Sequence, residues 1–121
     1  MEILLLILAS VVLASFGQIA MKKGTTSIGS LAIEDLLSRK LFSILSQPFV
    51  VVGFLIYLVS AGIWIVVLSN AEVSYAYPLV GPAYIVTAAL AYVFFGEKLT
   101  LFKVLGIMMI VAGAFVVVSK F

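Results

Sequence analysis

Few side chains in this sequence can do chemistry, and those that can sit at helical spacing inside long apolar runs. Ser15, Gln18 and Lys22 lie three and four residues apart, hence on one face of an α-helix. Tyr57, Ser60 and Trp64 share a face of a second run; Tyr77, Gly81, Tyr84 and Ala88 share a face of a third. Amide, phenol and indole groups are suited to binding, since they offer hydrogen bonds and flat apolar rings. A buried amide needs a partner, so Gln18 is read either as glue between helices or as a ligand contact. Tyr57 and Tyr84 fall near the middle of their runs and are expected to line a cavity, whereas Tyr75 and Tyr92 near run ends read as interfacial belt residues. No Asp, Glu, Lys or Arg occupies the middle third of any apolar run, so a proton relay has no residue to act through. The chain has no Cys and no His, and five carboxylates are too few for a hard-cation cage. No metal, no cofactor and no enzymatic activity are expected, because no nucleophile–base pair, carboxylate pair or phosphate loop is present.

Composition sets the elements that hold these groups. Of 121 residues, 65% are hydrophobic and 10% charged, with a mean hydropathy of +1.38. Soluble domains run at ~45–50% apolar and ~25% charged. Four membrane-crossing helices of ~20 residues need ~80 apolar positions, and 65% of 121 supplies about 79. The expectation is an all-α integral membrane protein, a four-transmembrane-helix bundle forming a single membrane domain over 1–121. A soluble globule, a disordered chain and a disulfide scaffold are excluded. A net charge of +2 in so apolar a chain marks membrane orientation, and no nucleic acid partner is expected.

The spans are read at about 2–21, 49–68, 73–95 and 101–118. Lys22 and Lys23 close the first, in an acid-first, lysine-last order that reverses a signal peptide, so this helix is expected to stay. Pro48 suits the first turn of the second span, Gly96 the C-terminal cap of the third and Thr100 the N-cap of the fourth. Pro78 and Pro82 predict kinks inside the third span, and broken spans often border binding cavities. Gly106 and Gly113, seven residues apart, form a small-residue stripe read as a dimer interface. Glu97 and Lys98 are expected to organise the loop before span four. Between spans one and two, Ile33, Leu36, Leu37, Leu41, Ile44 and Leu45 keep the rhythm of an amphipathic helix over about 30–46. Its polar side includes an Asp35–Arg39 pair at i, i+4, and such a helix lies in the lipid interface. An early start to span two, bent at Pro48, is the alternative.

Orientation follows from the basic residues. Lys22, Lys23, Arg39, Lys40, Lys98 and Lys103 fall on one side and only Lys120 on the other. Both termini are therefore expected outside, with the basic loops facing the cytoplasm.

Taken together, the run Ser74 to Leu79 (SYAYPL), Gly96 to Thr100 (GEKLT), Leu105-Gly106-Ile107 and Ala112-Gly113 resemble the drug/metabolite transporter superfamily. Within it the chain looks like the small four-helix, EamA-like members, which include the small multidrug resistance proteins. Phe16 to Lys23 (FGQIAMKK) and Gln47 to Gly53 (QPFVVVG), with Tyr57 following, are most similar to the subunits of aminoarabinose-lipid flippases. That resemblance implies an inner-membrane protein of a prokaryote that moves an anionic, polyprenyl-phosphate-linked sugar. It further implies that Lys22, Lys23, Arg39 and Lys40 attract the phosphate, while Ser15, Gln18, Tyr57, Trp64, Tyr77 and Tyr84 surround the sugar. The small multidrug resistance proteins carry a membrane-embedded Glu in helix one; here Val11 to Gln18 (VVLASFGQ) has none, which makes export of lipophilic cations the alternative reading. A non-transporting scaffold subunit of a lipid-modifying complex is a third. Four helices without an internal repeat imply a second chain, either a homodimer or a heterodimer with an oppositely oriented homologue.

Overall fold

The computed structural model describes residues 2–119, and every regular element among them is helical. Lys120, the lone basic residue on the predicted outer side, lies outside the described residues. Helix α1 (Glu2–Ile28) runs seven residues past the expected end of its apolar span. The hydroxyls of Thr25 and Thr26 fold back onto the carbonyls of Lys22 and Lys23 at 2.8 and 2.7 Å, and the turn continues until Gly29. Gly29 stops it at φ +102°, a conformation that side chains with a Cβ avoid.

The expected amphipathic helix is broken in two. A 3-10 turn (Ile33–Leu37) is followed by α2 (Lys40–Ser46). Ser38 causes the break, since its extended backbone ends the first piece while its hydroxyl bonds to Asp35 O and accepts the Lys40 N–H. The Asp35–Arg39 pair is consequently not made; the Asp35 carboxylate takes the Ala32 N–H at 2.8 Å instead. Both pieces expose large apolar groups, among them Ile33, Leu37 and Phe42, as a segment resting on lipid requires.

Helix α3 (Pro48–Asn70) starts on the Gln47 side chain, which accepts the Phe49 N–H at 2.9 Å. The third span is discontinuous, as its prolines demand: α4 (Val73–Ala76), a 3-10 turn (Tyr77–Val80), then α5 (Ala83–Phe95) after Gly81-Pro82. Gly96 caps α5 at φ +65° and Thr100 caps α6 (Leu101–Ser119), its hydroxyl accepting the Lys103 N–H at 3.2 Å. Four spans are thus long and apolar enough to cross a membrane.

The bundle is built on α1 against α3, two antiparallel helices with a seven-residue period. Ser10, Gly17 and Gly24 on α1 and Gly53, Ser60 and Val67 on α3 are all buried. A Cβ on Gly53 would stand 2.5 Å from the Gly17 carbonyl oxygen and 2.7 Å from the Met21 nitrogen, so only glycine permits this approach. Farther along, Ser10 Oγ donates to Ser60 O and Ser60 Oγ to Ser10 O, each at 2.9 Å. Lipid supplies no hydrophobic drive between helices, so close packing and such hydrogen bonds hold the pair. Ile7, Val11, Val67, Ala76, Leu79 and Ala114 form an apolar core at the end of the bundle holding the start of α1 and the end of α3. α6 leans on the broken third span, where a Cβ on Gly81 would meet Ile110 at 2.8 Å, and is otherwise largely exposed.

Candidate functional site

Beyond that core, α1, α3 and the broken third span part to leave a cavity of about 360 Å³. Each wall follows from a local rule. α1 presents Ser10, Ser15 and Gln18; α3 presents Tyr57, Ser60 and Trp64 at helical spacing. The 3-10 turn imposed by Pro78 rotates Tyr77 to the same space as Ala83, Tyr84 and Thr87 of α5. Tyr77 and Trp64 meet edge to face with ring centroids 6.3 Å apart, tying the break to α3.

The structure brings together Ser15, Gln18, Tyr57, Trp64, Tyr77 and Tyr84 in one lining. Their hydrogen bonding separates them. Ser15 is buried and spends its hydroxyl on Val11 O at 3.0 Å, so it shapes the wall. Among the described residues, Gln18 makes no side-chain hydrogen bond to another helix, and its side chain lies in the cavity lining. The phenols of Tyr57, Tyr77 and Tyr84 likewise remain accessible, the residues being 40%, 65% and 52% exposed. Sequence reasoning missed Ser10, Ser60 as a bonded partner, and Thr87. For Ser10 and Ser60 the signal was the small-residue period that also places Gly17 opposite Gly53, and for Thr87 it was the three-residue spacing from Tyr84.

The basic residues stand elsewhere. Lys22, Lys23, Arg39 and Lys40 are exposed and none lines the cavity. The Lys23 ammonium sits 4.7 Å from the centroid of the Phe49 ring, where α1 and α3 meet at the predicted cytoplasmic surface. Gly106 and Gly113 face open space, with nothing among the described residues within 4 Å of a Cβ built on either.

Chemically the cavity is uncharged. Hydroxyl, amide and indole groups ring an apolar box, and neither a carboxylate nor an amine lines it. Such a lining offers a bound group hydrogen bonds and aromatic ring faces, with no carboxylate to pair with a cation. A smaller pocket of about 210 Å³ between α5 and α6 shares Tyr84 and Thr87 with it.

No protein-family model matches the chain, and neither does any solved structure. A curated relative does. Over 116 residues the chain is 33% identical to the probable 4-amino-4-deoxy-L-arabinose-phosphoundecaprenol flippase subunit ArnF of Serratia proteamaculans (strain 568), covering 93% of this chain and 88% of the relative. The chain belongs to the ArnF flippase-subunit family. For an ArnF-family chain, the four apolar spans give a multi-pass membrane protein. The absence of a carboxylate from Val11 to Gln18 within α1 also sets this ArnF-family chain apart from exporters that exchange protons through an embedded acid.

Proposed function

We propose that the chain is a non-catalytic flippase subunit that carries a polyprenyl-phosphate-linked sugar across the cytoplasmic membrane. The carrying observation is the cavity itself, which gathers Gln18, Tyr57, Trp64, Tyr77 and Tyr84 inside a lipid-spanning bundle without placing a charge among them. Its volume of about 360 Å³ lies at the small end of ligand pockets. It suits one monosaccharide. The substrate named for the Serratia ArnF, an aminoarabinose linked through phosphate to undecaprenol, carries one such sugar.

The tail stays in lipid while the sugar crosses between α1, α3 and the broken third span. Both termini face outward and the basic loops face the cytoplasm. Lys22, Lys23, Arg39 and Lys40 draw the anionic lipid to the surface, a long-range attraction that salt screens. The open, glycine-bearing face of α6 meets a second chain, a copy of this one or an oppositely oriented homologue, and Gly106 and Gly113 lie in that seam.

A flip assay tests this reading. The chain, with its partner where one co-purifies, is reconstituted with a fluorescent prenyl-phosphoryl pentose, and transfer between leaflets is followed by quenching from one side. Gln18→Leu and Tyr84→Phe slow transfer while the complex still assembles. Full transfer in both variants would favour a scaffold role instead.

A further inference from the structure

Four aliphatic hydroxyls line the cavity between α1, α3 and the broken third span: Ser10, Ser15, Ser60 and Thr87. Three of them are spent on backbone. Ser10 and Ser60 donate to each other's carbonyls at 2.9 Å, and Ser15 donates to Val11 O, one turn back on its own helix, at 3.0 Å. A helical threonine ordinarily does as Ser15 does, which for Thr87 would engage the Ala83 carbonyl. Thr87 instead makes no side-chain hydrogen bond among the described residues. It is half-buried within the apolar stretch Ile85 to Leu90 of α5, where hydrocarbon cannot satisfy a hydroxyl. Valine would fill nearly the same volume without a polar group, so packing alone does not call for threonine here.

The level of Thr87 in the bundle decides what its hydroxyl can meet. Trp64, Val80 and Ala83 pack against the apolar core, which marks one end of the cavity. Gln18 and Tyr57 stand farther from it, side by side: the Tyr57 nitrogen lies 3.2 Å from a Cβ built on Gly17, the neighbour of Gln18. α1 and the third span both leave the core in the same direction, and Thr87 is one helical turn past Ala83. Gln18, Tyr57, Tyr84 and Thr87 therefore gather at the end of the cavity away from the core, while the Trp64–Tyr77 ring pair stands at the other.

We infer that Thr87 is a specificity-determining residue of this cavity, its hydroxyl bonding one hydroxyl of the bound sugar. The assignment deepens the flippase reading and rests on it. A site built to bond a hydroxyl discriminates against the analogue that lacks it, because the protein's own polar group is then left unpaired. The rings of Trp64 and Tyr77 supply contact that does not distinguish one hydroxyl pattern from another.

The probes are a short-chain prenyl-phosphoryl pentose and its monodeoxy congeners, each lacking one sugar hydroxyl. Their binding to the purified protein in detergent, with its partner where one co-purifies, is measured by calorimetry, and thermal unfolding checks folding. The wild type is expected to prefer the parent sugar to at least one congener by about fivefold, the scale of one hydrogen bond. Thr87→Val erases the preference over one congener by weakening the parent alone, and leaves any preference over the others in place. Thr87→Ser keeps it. Thr87→Ala, also without a hydroxyl but smaller, shows the same loss and serves if valine disturbs α5. Trp64→Ala weakens parent and congeners alike. A threonine with a purely structural role would move every affinity together, so unchanged ratios in the hydroxyl-free variants overturn the assignment and leave the flippase reading intact. Failure of the wild type to bind any of these pentose probes overturns the flippase reading, and the role of Thr87 with it.

Discussion

Gln18 carries a primary amide within the first apolar span and, among the described residues, makes no side-chain hydrogen bond to another helix. Removing it therefore costs the fold little, since no intrachain bond is lost; Gln18→Leu is expected to shift stability by no more than about 0.5 kcal/mol. The same change removes a hydrogen bond from the ligand, worth about 1 kcal/mol, so affinity for a prenyl-phosphoryl pentose falls roughly fivefold. Thermal unfolding and calorimetry on one preparation check both halves. Ser10 and Ser60 behave in the opposite way. Their reciprocal bonds at 2.9 Å join α1 to α3. A double-mutant cycle of Ser10→Ala and Ser60→Ala is expected to show coupling of about 0.6–1.7 kcal/mol, the range seen between membrane helices. Additive single effects would mean that the bridge contributes nothing to the pairing.

At the scale of elements, glycines that look alike in sequence divide into two kinds. Gly53 abuts the α1 backbone, so Gly53→Ala is expected to cost about 1–3 kcal/mol through overpacking and to part α1 from α3. Gly106→Ala meets nothing among the described residues and is expected to leave unfolding unchanged, while weakening assembly measured by native mass spectrometry. Equal effects of the two on unfolding would contradict the packing described. Sequence alone supplied the spans, the caps at Gly96 and Thr100, and the broken third span, because these follow from local hydropathy and backbone chemistry. Six cavity residues were also legible, since polar groups at helical spacing in an apolar span must share a face. The α1–α3 seam was not read: a period of small residues marks a close approach without saying which helix approaches, and Gly106 and Gly113 show the same period on an open face. The split at Ser38 was hidden as well, because an apolar rhythm persists through a turn whose side chains compete for the backbone.

The whole molecule is more open than its size requires. Its accessible surface is 8225 Å², against about 6300 Å² for a compact soluble monomer of this mass. Much of the excess belongs to α6, whose Phe102, Met109 and Phe115 are exposed. Such a surface is covered by lipid and, in the proposal above, by a second chain. Orientation is testable with little background, because the chain contains no cysteine. Ser69→Cys, at the end of α3, is expected to react with an impermeant maleimide in intact cells. Ser43→Cys, on α2, reacts only after the membrane is permeabilised. The reverse pattern would place the basic loops outside and contradict the assigned topology.

The central claim is that the cavity between α1, α3 and the broken third span holds a lipid-linked sugar. Native mass spectrometry of the protein released from its own membrane in mild detergent tests this most directly. The account predicts a retained polyprenyl-phosphoryl sugar that is lost from the Gln18→Leu/Tyr84→Ala double variant while subunit stoichiometry is preserved. A protein that retains no such lipid and instead binds lipophilic cations would contradict it, and cation export would become the better description.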